Sequence, residues 1–441
     1  MPQKKELKEI RTSLLSRGLS LAKASLKAGR LTATQMLTKG ESGAGWLHQV
    51  EFLIHEIGQL KGTAMKVGQT LSMYGEHLLP PELNDLIKKL QQDSPPLAWA
   101  AIEKVLLDEL GEDGLAALEV EHQSVASASI GQVHRARIRA TGQAVALKVQ
   151  YPGVDLAVET DLKLLKFALS MSDLVPRGPR MDQIFAEIRD MFYQEVDYLQ
   201  ERNFTEQFHA HLAGDSRYLV PATHPQFCTR RVFTGDFMAG VRADSPTVQA
   251  LSLDRRNRLG IAFLELYLRE LLDWRLVQTD PHLGNYLVQV DPVGEDDKLI
   301  LIDFGAVRSV PEDFLTNYAT LIEGGVRGDE RAIERAGRQL KLLLPEDSLD
   351  LVREYIELSM MLLEPFNGVY DWGASDLPKR VAGKLAHVAF NYRMRSPPRE
   401  LVFLDRKLGG VFIFLSVLKC KMEARPLLEA ALLKYRQGLQ T

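Results

Sequence analysis

The chain has 441 residues, 45% of them hydrophobic and 25% charged, and a net charge of -4. That is the composition of a globular protein large enough for two or three domains. It excludes a low-complexity chain and gives no global basicity for binding nucleic acid. The two cysteines, Cys228 and Cys420, form no C-x-x-C pair and no disulfide framework, which fits a reducing compartment.

Residues 1–45 interleave Lys4, Lys5, Lys8, Arg11, Arg17, Lys23, Lys27 and Arg30 with Leu7, Ile10, Leu14, Leu15, Leu19 and Leu21. The pattern predicts a basic amphipathic N-terminal helix, lying either on an anionic membrane surface or against the protein's own body. The N-terminus has no apolar core of a secretory signal. The apolar run Gly409 to Leu418 is too short to span a bilayer. Residues 46–120 read as a second helical segment. It holds Lys66-Val-Gly-Gln69 and a helix from Trp99 to Leu110, separated by the turn Asp93-Ser-Pro-Pro96.

Residues 121–238 carry the signals of a nucleotide-binding lobe. Ser124 to His134 precedes a strand, and Ala144-Val-Ala-Leu-Lys148 follows the turn Thr141-Gly142. The glycine-rich phosphate loop of kinases is G-x-G-x-x-G-x-V, followed by V-A-I-K. Ala126, Ala128, Gly131 and Val133 fall at those positions, so two glycines are alanines, with Ser127 and Ser129 between and after them. Alanine restricts the backbone where glycine lets it approach a phosphate. Lys148 is the residue expected to meet the α- and β-phosphates. A long helical run from Asp182 to Phe208 offers Glu187, Glu195, Asp197, Glu201 and Glu206, several of them eligible as the partner of that lysine. Leu219-Val-Pro and Thr229 to Phe233 read as strands, and Thr234 to Met238 stands where the hinge to the next lobe belongs.

Residues 239–441 read as a mostly helical lobe with the amphipathic helix Asp254 to Leu272 at its start. Then comes the stretch with the strongest chemical meaning, Gln278-Thr-Asp-Pro-His-Leu-Gly-Asn285, followed by two β-like runs around the turn Asp291 to Asp297 and by Asp303-Phe304-Gly305. Asp280 and Asn285 have the D-x-x-x-x-N spacing of a kinase catalytic loop, and Asp303 heads a DFG. In that chemistry Asp280 orients or deprotonates an attacking hydroxyl, while Asn285 and Asp303 hold Mg2+ on the phosphates. Hard oxygen donors suit this ion, which takes few protein ligands and leaves the rest to water and phosphate. Pro311-Glu-Asp starts a helix almost at once after DFG, so the chain has no A-P-E and no room for a peptide-binding activation loop. His134 and His282 lack metal-ligand spacing and read as structural.

These pieces together resemble the UbiB (AarF) family of atypical kinase-like proteins, by motif over residues 45–310. Lys66-x-Gly-Gln69 matches the family's KxGQ motif and Ala126 to Gly131 its alanine-rich loop. Ala146 to Gly153 matches its lysine strand, Glu195-Val-Asp197 its ExD motif, and Asp280 to Asn285 its catalytic loop. The resemblance implies an α+β, two-lobed protein-kinase-like fold with an N-terminal helical extension over the active site and a mostly helical C-lobe. It implies that Lys66 reaches into the pocket, paired with Glu195, Asp197 or Asp303, with Gln69 packed near the catalytic loop. It also makes Glu201 the partner of Lys148. Members of that family bind ATP and ADP with magnesium, show ATPase activity and support ubiquinone or other isoprenoid-lipid metabolism. The chain is therefore expected to be a Mg-dependent ATPase or a small-molecule or lipid phosphotransferase, cytoplasmic, with peripheral contact to an anionic membrane. A regulatory nucleotide-binding module and an aminoglycoside-phosphotransferase-like kinase are the alternatives. Many family members carry C-terminal membrane spans that this sequence lacks, and Asp236 stands at the hinge where glutamate is more usual.

Overall fold

A computed structural model describes residues 96–128, 130–154, 162–163, 185–186, 189–190, 192–294, 296–391 and 398–439, with the side chains of 386–391 left out. Lys66, Gln69, Ser129 and the basic N-terminal helix lie outside those residues. The chain divides into two compact units. The first runs up to Glu206 and takes in Ala222–Phe237; the second is Gln207–Pro221 with Met238 onward.

In chain order the first elements are α1 (Trp99–Ala116), β1 (Leu118–Ser127), β2 (Gly131–Ile138), β3 (Ala144–Gln150), α2 (Tyr198–Leu212), β4 (Tyr218–Leu219), β5 (Val232–Asp236) and β6 (Val241–Arg242). In the first unit β1, β2, β3 and β5 make one antiparallel sheet in that order. The alternation of β3 sets its faces: Val145, Leu147 and Val149 are fully buried, while Lys148 falls on the opposite face. Ile102, Val105 and Leu106 form the buried stripe of α1, and Glu109 on that helix pairs with Arg231 at 2.7 Å. The helix continues past the predicted Leu110 with a kink at Gly111, whose φ is 71°. Glycine alone tolerates that conformation without strain.

His134 is buried in this unit. Its Nδ1 donates to the Glu121 carbonyl at 2.8 Å, and its Nε2 accepts from the Gln132 amide at 2.9 Å. Burial holds it below its ordinary pKa, so the ring is a neutral structural element.

The second unit continues with α3 (Leu253–Leu268), a π-helical turn (Arg269–Trp274), β7 (Leu276–Gln278), β8 (Tyr286–Gln289), β9 (Lys298–Leu301) and β10 (Val307–Ser309). Then follow α4 (Glu312–Arg327), α5 (Glu330–Gln339), α6 (Leu349–Leu362), β11 (Val369–Asp371), α7 (Leu377–Asn391), α8 (Arg399–Val417), β12 (Lys421–Glu423) and α9 (Arg425–Gly438). Strand β4 pairs in parallel with β9, while β8 pairs antiparallel with both β9 and β6. The predicted Asp254 to Leu272 helix ends sooner. Ser252 caps α3 by accepting the Arg255 N–H, and after Leu268 the chain widens into the π turn, which turns Glu270, Leu271 and Leu272 inward. Arg275 closes the turn in the left-handed conformation, φ 56°.

The long helical run predicted from Asp182 to Phe208 is also corrected. It breaks at Asp197, whose carboxylate accepts the Leu199 N–H at 3.1 Å and starts α2 afresh. The strand predicted over Thr229 to Phe233 begins only at Val232, because Thr229 instead accepts backbone N–H groups from Arg231 and Val232 in a turn. Among the described residues no helix is long and apolar enough to cross a membrane.

Candidate active-site residues

In the first unit the alanine-rich loop is a tight hairpin rather than an open flap. Ala126 and Ser127 already belong to β1, where they pair with Val133 and Gln132 of β2. The turn is closed by the Ala128 N–H donating to the Gly131 carbonyl at 2.8 Å, and the Tyr151 N–H donates to Ile130 at 2.9 Å. A side chain on Gly131 would collide with the Val149 carbonyl and stand 2.9 Å from the Tyr198 hydroxyl, so packing alone demands glycine there.

Lys148 projects from β3 toward Glu201 on the first turns of α2. Its Nζ donates to both carboxylate oxygens, at 2.7 Å and 2.9 Å. Glu201 is only 3% exposed and Lys148 14%, so the charges are paired away from water. The lysine also lies 5.2 Å from the centre of the Tyr198 ring. Of the acidic residues left open by the helical pattern, the structure brings Glu201 to the lysine. The Asp197 carboxylate caps the same helix and lies 3.8 Å from Arg230. Glu195 lies just before that cap, half-buried. Asp236, at the expected hinge, accepts from Gln143 at 2.6 Å and lies 2.9 Å from the His224 ring nitrogen.

In the second unit the loop between β7 and β8 presents Asp280 and Asn285. The Asn285 amide donates to the Asp280 carbonyl at 2.9 Å and to its carboxylate at 3.3 Å. His282 caps the short 3-10 turn between them, accepting the Gly284 N–H at 3.1 Å. Antiparallel pairing of β8 with β9 sets Asn285 opposite Ile302, whose N–H donates to the Asn285 carbonyl at 3.2 Å; Asp303 follows directly. The Asp303 carboxylate accepts the Gly305 N–H at 3.0 Å. Phe304 is buried against Phe208, ring centres 4.7 Å apart. Strand β10 then pairs with β7, so the chain leaves DFG by folding back along the strand that enters the catalytic loop. Glu312 opens α4 directly afterwards.

The donor set fits a magnesium ion. Asn285 spends its NH2 on Asp280, so its carbonyl oxygen is the atom that would meet an ion, and Asp303 would add a carboxylate. One amide and one carboxylate are what Mg2+ takes when phosphate oxygens and waters complete its octahedron. Among the described residues no group of three or more His, Cys, Asp or Glu side chains is placed to hold a metal by itself.

Three contacts of α8, two at this loop and one at the π turn, had no signal in the motif. Arg406 of α8 donates to the Asp280 carboxylate at 2.6 Å. The next residue, Lys407, is buried and pairs with buried Glu270 of the π turn at 2.9 Å. Burial pulls Glu270 up and Lys407 down in pKa, and their pairing pulls each back toward its charged form. Gly410, one turn further on, lies so close to Pro281 that no side chain fits between them. The helix α8, with Phe403, Val411 and Phe414 buried, therefore also carries two cations, one on Asp280 and one on Glu270 of the π turn.

A lysine–glutamate pair beside an alanine-rich hairpin, with D-x-x-x-x-N and DFG at the ends of adjacent strands, defines a protein of the kinase-like class. Residues 89–336 match the ABC1 atypical kinase-like domain, more than half the chain, and the chain belongs to that family. It is 32% identical to the atypical kinase COQ8B, mitochondrial, of Rattus norvegicus, over 89% of this chain and 73% of that protein. It is 30% identical to the atypical kinase COQ8, mitochondrial, of Saccharomyces cerevisiae, over 82% of this chain and 72% of the yeast protein. The solved structure of the Rv3197–erythromycin complex from Mycobacterium tuberculosis shares the fold, with a TM-score of 0.59 at 24% identity. It is covered over 92% of this chain and 97% of its own.

Proposed function

We propose that the chain is a Mg2+-dependent ATPase or phosphotransferase whose acceptor is a small molecule or lipid rather than a protein. On this reading its work lies in quinone or isoprenoid-lipid metabolism. The observation that carries this reading is the buried Lys148–Glu201 pair, 2.7 Å long, because a kinase fold handles nucleotide phosphates only when this lysine is held in place. Lys148 would meet the α- and β-phosphates, and Asn285 and Asp303 would hold the ion. Bound Mg2+ would neutralise charge on the β- and γ-phosphates. Asp280 would orient the attacking hydroxyl or water, its own carboxylate steadied by Arg406 and Asn285.

Absence of an activation loop between Gly305 and Glu312 supports a compact acceptor. The spent N–H of Ala128 supports a grip on phosphate different from that of a glycine-rich flap. A non-turnover regulatory module is favoured by one contact, the guanidinium on Asp280, which occupies a catalytic carboxylate oxygen.

The test is ATP turnover by the purified protein, with and without anionic liposomes and quinone precursors. Wild type should hydrolyse ATP only with Mg2+. Asp303→Asn should keep the fold and lose most of its Mg-ATP-induced thermal shift. An unchanged Mg-ATP affinity in that variant would remove Asp303 from the metal site.

A further inference from the structure

Beneath the catalytic loop of the second unit runs a chain of buried side chains. Lys407 Nζ donates to the Glu270 carboxylate and, at 3.2 Å, to the Tyr286 hydroxyl. Tyr286 Oη donates in turn to the Gln278 side-chain oxygen at 2.5 Å. The amide of Gln278, thus oriented, donates through Nε2 to the Asp280 carbonyl at 2.9 Å and the Asp303 carbonyl at 3.4 Å. Glu270 closes the circuit by accepting the Gln278 backbone N–H at 3.0 Å. Gln278 is 1% exposed, Tyr286 2%, Lys407 1% and Glu270 0%.

We propose that Gln278 is a positioning residue that ties the catalytic loop to the DFG turn, and that Tyr286, Lys407 and Glu270 exist to hold its amide the right way round. The reasoning is one of donors and acceptors. A glutamine amide is nearly symmetric in shape, so only hydrogen bonds decide which end faces the two carbonyls. Tyr286 donates here because Lys407, a group with no acceptor, cannot take the hydroxyl proton, which leaves the Gln278 oxygen to accept it. The lysine therefore sets the polarity of the chain: cation to hydroxyl, hydroxyl to amide oxygen, amide NH2 to the two aspartate carbonyls. Buried polar groups of this kind are costly unless each is satisfied. An apolar set would pack as well but would leave the carbonyls of Asp280 and Asp303 without this shared donor. The two aspartates come from different segments, and Gln278 is hydrogen-bonded to both.

Part of this proposal rests on the ATPase or phosphotransferase reading above, and the experiment separates the two. Tyr286→Phe keeps the ring and the Lys407–Glu270 pair but removes the hydroxyl that orients the amide. Gln278→Leu removes the shared donor itself. Tyr218→Phe is the control: it loses one buried hydroxyl donor, to the Ala262 carbonyl at 2.7 Å, outside this chain of contacts. Amide hydrogen exchange of the full-length variants is the readout independent of activity. Tyr286→Phe and Gln278→Leu should raise exchange together in residues 279–285 and 303–307, and Tyr218→Phe in neither. With Mg-ATP, both should lower kcat by about tenfold or more and raise KM by less than that, because Asp280 and Asp303 are displaced rather than removed. Faster exchange in only one segment, or a kcat loss no larger than that of Tyr218→Phe, overturns the positioning role. If wild type turns over no ATP, the functional reading falls and the exchange arm still decides.

Discussion

Gly409 and Gly410 are neighbours on α8, and the structure requires opposite responses to the same substitution. Gly409 is exposed, with nothing within 4 Å of the place a Cβ would occupy. Alanine there should stabilise by about 0.5–1 kcal/mol, the usual gain in a helix interior. Gly410 is buried against the catalytic loop, and a Cβ built on it lies 3.3 Å from Pro281 Cα and inside the van der Waals envelope of the proline ring. A methyl group there must push α8 or Pro281 aside, and overpacking of this kind costs about 1–3 kcal/mol. Pro281 follows Asp280, so any yielding displaces the residue gripped by Arg406. The two variants should differ by about 1.5–4 kcal/mol, which in thermal melts is roughly 3–16 °C at about 2–4 °C per kcal/mol for a unit of this size. Gly409→Ala should turn over like wild type, whereas Gly410→Ala should fall in kcat. Equal melting temperatures for the pair, or full activity in Gly410→Ala, would show that α8 does not press on the catalytic loop.

Two further outcomes follow from buried charges. Glu201→Gln removes the carboxylate that Lys148 donates to at 2.7 Å and should cost about 3 kcal/mol in urea unfolding, together with weakened nucleotide binding; unchanged stability would mean that this pair does not hold the unit together. Burial pushes Asp405, which faces Tyr267, Tyr318 and Tyr355, up to about 7. Unfolded aspartate ionises near pH 4, so the contribution of Asp405 to stability should fall as pH rises from about 4 to about 7 and level off above. Asp405→Asn lacks that loss and should overtake wild type by about 2 kcal/mol or more at pH 8 relative to pH 4. Parallel stability curves for the two proteins across that range would contradict the assigned cause.

What could be read in advance and what could not divides along a physical line. Asp280 and Asn285 lie in one short loop and Asp303 just past the strand beside it, so the arrangement leaves a spacing in the sequence. Lys148 stands in a strand whose alternation puts it opposite the buried valines. Its partner was ambiguous in the residues alone because five acids share one helical run. The helix break at Asp197 is signalled in the sequence only by Asp197-x-x-Gln200, a capping-box pattern. Arg406, Lys407 and Glu270 left no local trace. Arg406 lies 126 residues from Asp280, and Lys407 lies 137 from Glu270. In a sequence, a lysine inside an apolar helical face is only an interruption. The π turn that swings Glu270 inward is equally silent, since its residues fit an ordinary helix.

The family match ends at residue 336, but the cations that meet Asp280 and Glu270 come from residues 406 and 407. Inheritance and architecture therefore draw the boundary of this domain in different places. An excised segment 89–336 would keep each motif aspartate and asparagine, yet Glu270 would have lost its counter-charge and Asp280 its guanidinium. The portable unit of this fold is the recognisable segment together with a helix that carries no recognisable motif.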